Sequence, residues 1–86
     1  MPAISRFLGI VIYMYHGDHV PPHFHARYGE HEAQFSIPGL MVIEGRLPPR
    51  VTGLIVEWAS AHLPELQSNW QLARNHAALK QIDPLE

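Results

Sequence analysis

The feature that most constrains the fold is a pair of alternating segments on either side of Gly29-Glu30. His23–Tyr28 and Glu32–Ile37 both alternate between apolar and polar residues, and a Gly-X pair favours a tight two-residue turn. That turn sets five cross-strand pairs: Tyr28–His31, Arg27–Glu32, Ala26–Ala33, His25–Gln34 and Phe24–Phe35. Apolar residues then face apolar residues and polar residues face polar ones, with opposite charges at Arg27–Glu32. A slip of one residue in the register would lose every one of these matches. The sequence therefore predicts a β-hairpin here.

Further strands are predicted on both sides of the hairpin. Phe7–Tyr15 is rich in β-branched and aromatic residues, which predicts one strand that is apolar on both faces. His16–Pro22 is then a loop. Leu40–Glu44, after the turn signal Pro38-Gly39, is a fourth short strand, and Leu79–Ile82 is a candidate for a last one.

The C-terminal half carries a helical pattern. Pro48-Pro49 suits a helix start, where a missing N–H costs nothing, and Pro64 is expected to kink or break the helix. The residues that recur at about 3.6-residue spacing are Val51, Ile55, Trp58, His62, Leu66, Asn69 and Ala73. Trp58 is expected in the core, and Asn69 on a solvated face or as the cap of a second helical piece.

These elements predict an α+β fold in a single domain of residues 1–86. Its sheet is a small, mostly antiparallel, four-stranded meander, with the C-terminal amphipathic helix packed on one face. Because one helical layer covers one face only, the doubly apolar strand Phe7–Tyr15 also predicts a homodimer. The expected contact is Val11, Tyr13 and Tyr15, or the opposite set Ile10, Ile12 and Met14.

Composition excludes several classes of protein. There is no cysteine, which rules out disulfides, thiolate zinc sites and a cysteine nucleophile. The net charge is −2 and the six Lys and Arg residues are scattered, so nucleic acid is not expected as a general ligand. Phe7–Tyr15 is too short for a membrane span and no cleavage site follows it. We therefore expect a cytoplasmic protein with no membrane contact.

The strongest chemical signal is Asp18-His19-x-x-x-His23-x-His25, in a chain with seven histidines. His23 and His25 project to the same side of a strand, and the preceding loop adds His19 or Asp18. Two or three histidines with a carboxylate and an open position are typical of catalytic zinc or non-haem iron. The sequence predicts these four residues as ligands of a divalent metal such as zinc, on a solvent-accessible face shared with Gln34.

Two other roles stay open for the same residues. One histidine could transfer protons without a metal, which makes His23, His25 and Arg27 the candidate catalytic residues. Alternatively, His23 and His25 are structural: they hydrogen-bond the loop backbone after Pro21-Pro22 or shape a contact surface for a partner.

The Asp18–Gly29 segment carries the pattern D-H-x-P-P-H-F-H-x-x-Y-G. Together with residues 1–17, Leu47-Pro48, 57–59, 69–73 and 82–85, it resembles an uncharacterised bacterial family, a domain of unknown function of about this length. Pro64 departs from the family's more continuous helix. The resemblance implies a bacterial protein whose gene often lies beside that of another small protein, as in a toxin–antitoxin-type or regulatory pair.

Two functions are therefore expected. The first is a small interaction or regulatory protein whose partner is encoded by a neighbouring gene. The second is a small metal- or histidine-dependent hydrolase, with a nuclease as one form, centred on Asp18–His25. The first is favoured because so thin a domain can hardly enclose a pocket without a second subunit. Whether the chain is an enzyme stays open.

Overall fold

In a computed structural model of the protein, which describes residues 3–86, five antiparallel strands lie side by side in chain order and two helices follow. This confirms the α+β class and the meander. The strands are β1 (Ala3–Phe7), β2 (Ile10–Tyr13), β3 (His23–Tyr28), β4 (His31–Ser36) and β5 (Val42–Gly45), and the helices are α1 (Pro49–Ser60) and α2 (Leu63–Arg74).

The central hairpin and the helix boundaries agree with the local sequence signals. Strands β3 and β4 pair in the predicted register at all five positions, and His23 adds a sixth pair with Ser36. Helix α1 begins at Pro49, and Pro64 lies in the first turn of α2, where its missing N–H is tolerated. Both helices have twelve residues, and neither is long and apolar enough to cross a membrane.

The prediction of four strands, with one strand over Phe7–Tyr15, is wrong. Phe7 ends β1 and Ile10 begins β2, so the apolar run holds the last residue of β1, the turn and all of β2. Leu8 and Gly9 make the turn between them with φ of 51° and 81°, as a two-residue hairpin turn requires. The run is interrupted because Gly9 favours this conformation, and β1, which lies mostly before the run, is the additional strand.

The C-terminal segment differs from prediction as well. Leu79–Ile82 forms no strand, although the Ile82 N–H donates to the Ile4 carbonyl at 2.8 Å. Asn69 is buried rather than solvated or capping: its amide Nδ2 donates to the Lys80 carbonyl at 2.8 Å and its Oδ1 accepts from the Lys80 N–H at 2.9 Å. A buried amide thus fastens the chain after α2 to the body of the protein.

Burial within one chain removes much of the predicted dimer contact. One of the two expected sets, Ile10, Ile12 and Met14, is buried within a single chain. Tyr13 of the other set is buried too, so neither set is free to meet a second copy as a whole. The homodimer itself stays a prediction.

The two faces of the sheet have different surroundings. One face carries Phe24 and packs against α1, where the Trp58 ring centroid lies 6.1 Å from that of Phe24 and 5.4 Å from that of Phe7. Trp58 is 1% exposed, which confirms its predicted place in the core. Across the other face, the register aligns one row of side chains: Tyr13, His25, Gln34 and Glu44. Helix α2 contacts the sheet at β3.

Candidate metal centre

Three of the four predicted metal ligands meet at the start of β3. The loop after β2 brings Asp18 against the strand, so that its Oδ2 lies 2.9 Å from His23 Nε2 and 3.1 Å from His25 Nε2. The ligand atoms of these three residues all lie within 4.8 Å of one another. His23 and His25 can both reach the carboxylate because alternate residues of a strand share a face.

The fourth predicted ligand, His19, stands at the rim. Its side chain is 85% exposed, and its Nδ1 lies 3.1 Å from Oδ1 of Asp18, the carboxylate oxygen that does not approach His23. Its backbone N–H donates to the same Oδ1 at 2.9 Å. His19 therefore orients the Asp18 carboxylate and is not one of the three grouped ligands.

The prediction that the histidines are solvent-accessible is wrong. The His23 side chain is 2% exposed and that of His25 is 12% exposed. The Trp70 ring of α2 lies 5.3 Å from His23 between centroids, and His25 stacks on Tyr13 at 5.1 Å and meets the edge of Tyr15 at 4.8 Å. The polar face of β3 is covered here by side chains from α2 and from the end of β2.

His23 has one ring nitrogen hydrogen-bonded to the backbone and the other facing the Asp18 carboxylate. Its Nδ1 lies 2.8 Å from the Pro21 carbonyl, which can only accept, so Nδ1 carries the proton. In the neutral ring, Nε2 then has a free lone pair. That buried atom makes no hydrogen bond, although Asp18 Oδ2 is only 2.9 Å away. Two lone-pair atoms at this distance repel each other unless a proton on Nε2, which makes the contact an ion pair, or a metal ion lies between them.

Asp18 carries a negative charge at neutral pH. Burial by itself would raise the pKa of this carboxyl. The hydrogen bonds from His25 Nε2 and from the His19 N–H outweigh it and hold the pKa of Asp18 below its usual value. The cluster is thus one carboxylate and two imidazoles, already gathered and shielded from water.

These donors fit a transition metal such as zinc or iron. In a tetrahedral zinc site, bonds of about 2.0–2.1 Å place the ligand atoms about 3.3 Å apart, close to the spacings around Asp18 Oδ2. The backbone bond to His23 Nδ1 is the kind of outer contact that fixes the tautomer of a metal-binding histidine. Three protein ligands would leave a fourth position open.

A concavity of about 220 Å³ borders the cluster on the open face of the sheet. It is lined by His25, Glu32, Ala33, Gln34, Glu44 and Gly45. Burial, together with a 3.0 Å hydrogen bond to Glu32, raises the pKa of Tyr13 far above its usual value, so its hydroxyl remains a donor. Arg27, a predicted catalytic residue, contacts Glu32 at 4.0 Å and lies over the Tyr13 ring.

Sequence patterns miss the residues that enclose the site. The helical spacing places Trp70 only in the core, and the apolar run places Tyr13 only at a dimer contact. The pairing of Tyr13 with His25 follows from the register of β2 on β3. Gly9, which favours a turn, is the signal in the sequence that predicts this pairing.

A match to a family model supports the resemblance to a domain of unknown function that the sequence suggests. Residues 9–71 match the model of a domain of unknown function (DUF4160), and this range contains Asp18, His23, His25 and Trp70. No curated protein and no solved structure matches the chain. Because the match covers most of the 86 residues, the chain belongs to the DUF4160 family of domains of unknown function.

Proposed function

We propose that this protein binds one divalent transition-metal ion, with zinc as the first choice, through Asp18, His23 and His25. The observation that supports this most is His23 Nε2, a buried nitrogen that makes no hydrogen bond in the neutral ring and lies 2.9 Å from Asp18 Oδ2, within the same 4.8 Å group as His25. A metal ion shared by the two atoms would turn a repulsive contact into two bonds. Uncompensated buried polar atoms are rare in folded proteins, and functional sites are one place where they occur.

A metal-dependent hydrolase is the activity that this site supports best. A metal with an open position can polarise a carbonyl and lower the pKa of a bound water. Glu32 and Glu44 line the adjoining concavity, where a carboxylate can take a proton from a reacting water. The same two carboxylates would repel phosphate, which makes a nuclease the less favoured form of hydrolase. The concavity is open to solvent on this face of the sheet and would admit a substrate beside the metal.

Calorimetric titration with zinc, nickel and manganese at pH 7.5 tests the metal site. We expect one zinc per chain with micromolar or tighter affinity, and weaker binding of manganese, which prefers oxygen ligands. The matched control is His31→Ala, because His31 is exposed at the far end of the hairpin and should leave the affinity unchanged. Heats no larger than those of metal dilution would refute the site, and so would loss of binding in His31→Ala.

A protein-interaction role is the second candidate, and the outer edge of the sheet supports it. Strand β5 has its edge open, and Met41, Val42 and Ile43 are 69%, 42% and 46% exposed. The β1 edge, in contrast, is covered by bonds from Gln81 and Ile82. Open apolar edges are templates for strand pairing. They would suit the partner of a toxin–antitoxin-type gene pair or a second copy of this chain.

A charge on this edge should weaken such pairing. Ile43→Lys is expected to abolish co-purification with the co-expressed product of a neighbouring gene, because an edge lysine opposes strand addition. Leu8→Lys, on the exposed turn between β1 and β2, should leave co-purification intact. Light scattering on the free chain tells whether a second copy occupies the edge. A complex unaffected by Ile43→Lys would contradict a role for β5.

A further inference from the structure

The loop that carries Asp18 is tied to the end of α2. The Gly17 N–H, one residue before Asp18, donates to the Ala73 carbonyl at 2.9 Å. His16 Nε2 donates to the Ala77 carbonyl, also at 2.9 Å. Ala73 is fully buried, so the loop is anchored to a fixed point of the core. The position of the Asp18 carboxylate therefore depends on where α2 ends.

The loop at Gly17 lies against the exposed ring of His76, which follows α2. Gly17 has a φ of +70°, and a Cβ at this position would lie 2.8 Å from Cε1 of the His76 ring. Real Cβ atoms do not approach other atoms so closely. Any larger residue must move either the loop or the His76 ring, and a moved loop takes Asp18 away from β3.

Helix α2 also reaches a second ligand of the cluster. Trp70, one turn before Ala73, packs against the His23 ring with centroids 5.3 Å apart. Two of the three ligand positions thus depend on one helix, Asp18 through Gly17 and His23 through Trp70. The docking of α2 and the geometry of the cluster are parts of one packed unit.

We propose that the C-terminal end of α2 positions Asp18 through Gly17, so that metal affinity depends on the docking of this helix. This inference rests on the proposed metal site. Gly17 and Ala73 act as positioning residues: they are not metal ligands, and they set the place of a residue that is one. Since coupling is reciprocal, a bound metal should in turn stabilise the docked position of α2.

The decisive variant is Gly17→Ala, and the chain offers a matched control in Gly29→Ala. Gly29 also has a positive φ, +59°, but no atom lies within 4 Å of a Cβ built there. Both substitutions carry similar backbone strain, and only the first adds a clash. We expect the zinc Kd to rise about tenfold or more in Gly17→Ala, as on loss of an outer-shell contact, and about twofold at most in Gly29→Ala. The two thermal midpoints in chelator should be similar.

Two further variants and a spectroscopic readout separate positioning from general stability. Gly17→Ala/His76→Ala removes the ring that the new Cβ would meet, and should recover most of the lost affinity. His16→Ala cuts the second tie at an exposed residue, and should weaken zinc binding several-fold without unfolding the protein. Cobalt(II), used as the probe ion, should show altered visible absorption in Gly17→Ala, because the ligand geometry has changed.

The possible results separate the positioning role from the metal site itself. Zinc binding by Gly17→Ala and His16→Ala as tight as by the wild type would overturn the positioning role and leave the metal site standing. Equal weakening in Gly29→Ala would show general destabilisation and overturn it as well. A wild type that binds no zinc would remove the metal site and the inference together. If Gly17→Ala does not fold, the affinity of His16→Ala decides.

Discussion

Alanine at both His23 and His25 is expected to weaken zinc binding by about 1,000-fold or more. Loss of a mere outer partner of a metal ligand costs about 10–100-fold, and here two of three direct ligands are removed. The remaining Asp18 carboxylate would hold the ion no better than an ordinary surface group. Competition with a chromophoric chelator at pH 7.5 measures a change of this size.

Controls must separate ligand loss from unfolding, since His23 is buried. Asp18→Asn keeps the shape of the third ligand and removes its charge. This variant should therefore fold, and its zinc affinity should be at least about tenfold lower than that of the wild type. His31→Ala/His62→Ala removes two imidazoles from outside the cluster and should bind as the wild type does. If this last variant loses as much affinity as His23→Ala/His25→Ala, zinc is held by scattered histidines and the cluster is not the site.

Trp58→Ala is expected to lower the free energy of unfolding by about 3–5 kcal/mol. The ring is 1% exposed and contacts Phe7 and Phe24 across the interface of α1 with the sheet. Its Nε1 also donates to the Asp83 carbonyl at 2.8 Å, which holds the C-terminal segment. A domain of this size has a total stability of about 4–13 kcal/mol, and at the lower end of that range the loss would leave much of the protein unfolded.

Urea unfolding followed by circular dichroism measures this loss. Trp58→Phe retains an aromatic ring in the core and removes the bond to Asp83, so its cost should be smaller, about 1–2 kcal/mol. Leu8→Ala, on an exposed turn, should change stability by less than about 0.5 kcal/mol. A cooperative Trp58→Ala variant as stable as Leu8→Ala would mean that α1 does not pack on the sheet through Trp58.

Local patterns in the sequence determined the parts of the fold that depend on neighbours along the chain. The β3–β4 register followed from strict alternation around a two-residue turn, because a slip of one residue would turn every side chain to the wrong face. The helix break near Pro64 followed from a missing N–H and a fixed φ. The same alternation identified His23 and His25 as neighbours on one face.

Only the tertiary structure decided what covers those faces. Alternation places His23 on the polar side of β3, but burial there comes from Trp70 of α2, which lies far along the chain. Asn69 has the spacing of a helix face, yet only the path of the distant Lys80 backbone makes it a buried clamp. Sequence periodicity fixes the direction of a side chain within its own element. Its exposure, partners and protonation depend on elements that are far away in sequence, and therefore on the fold as a whole.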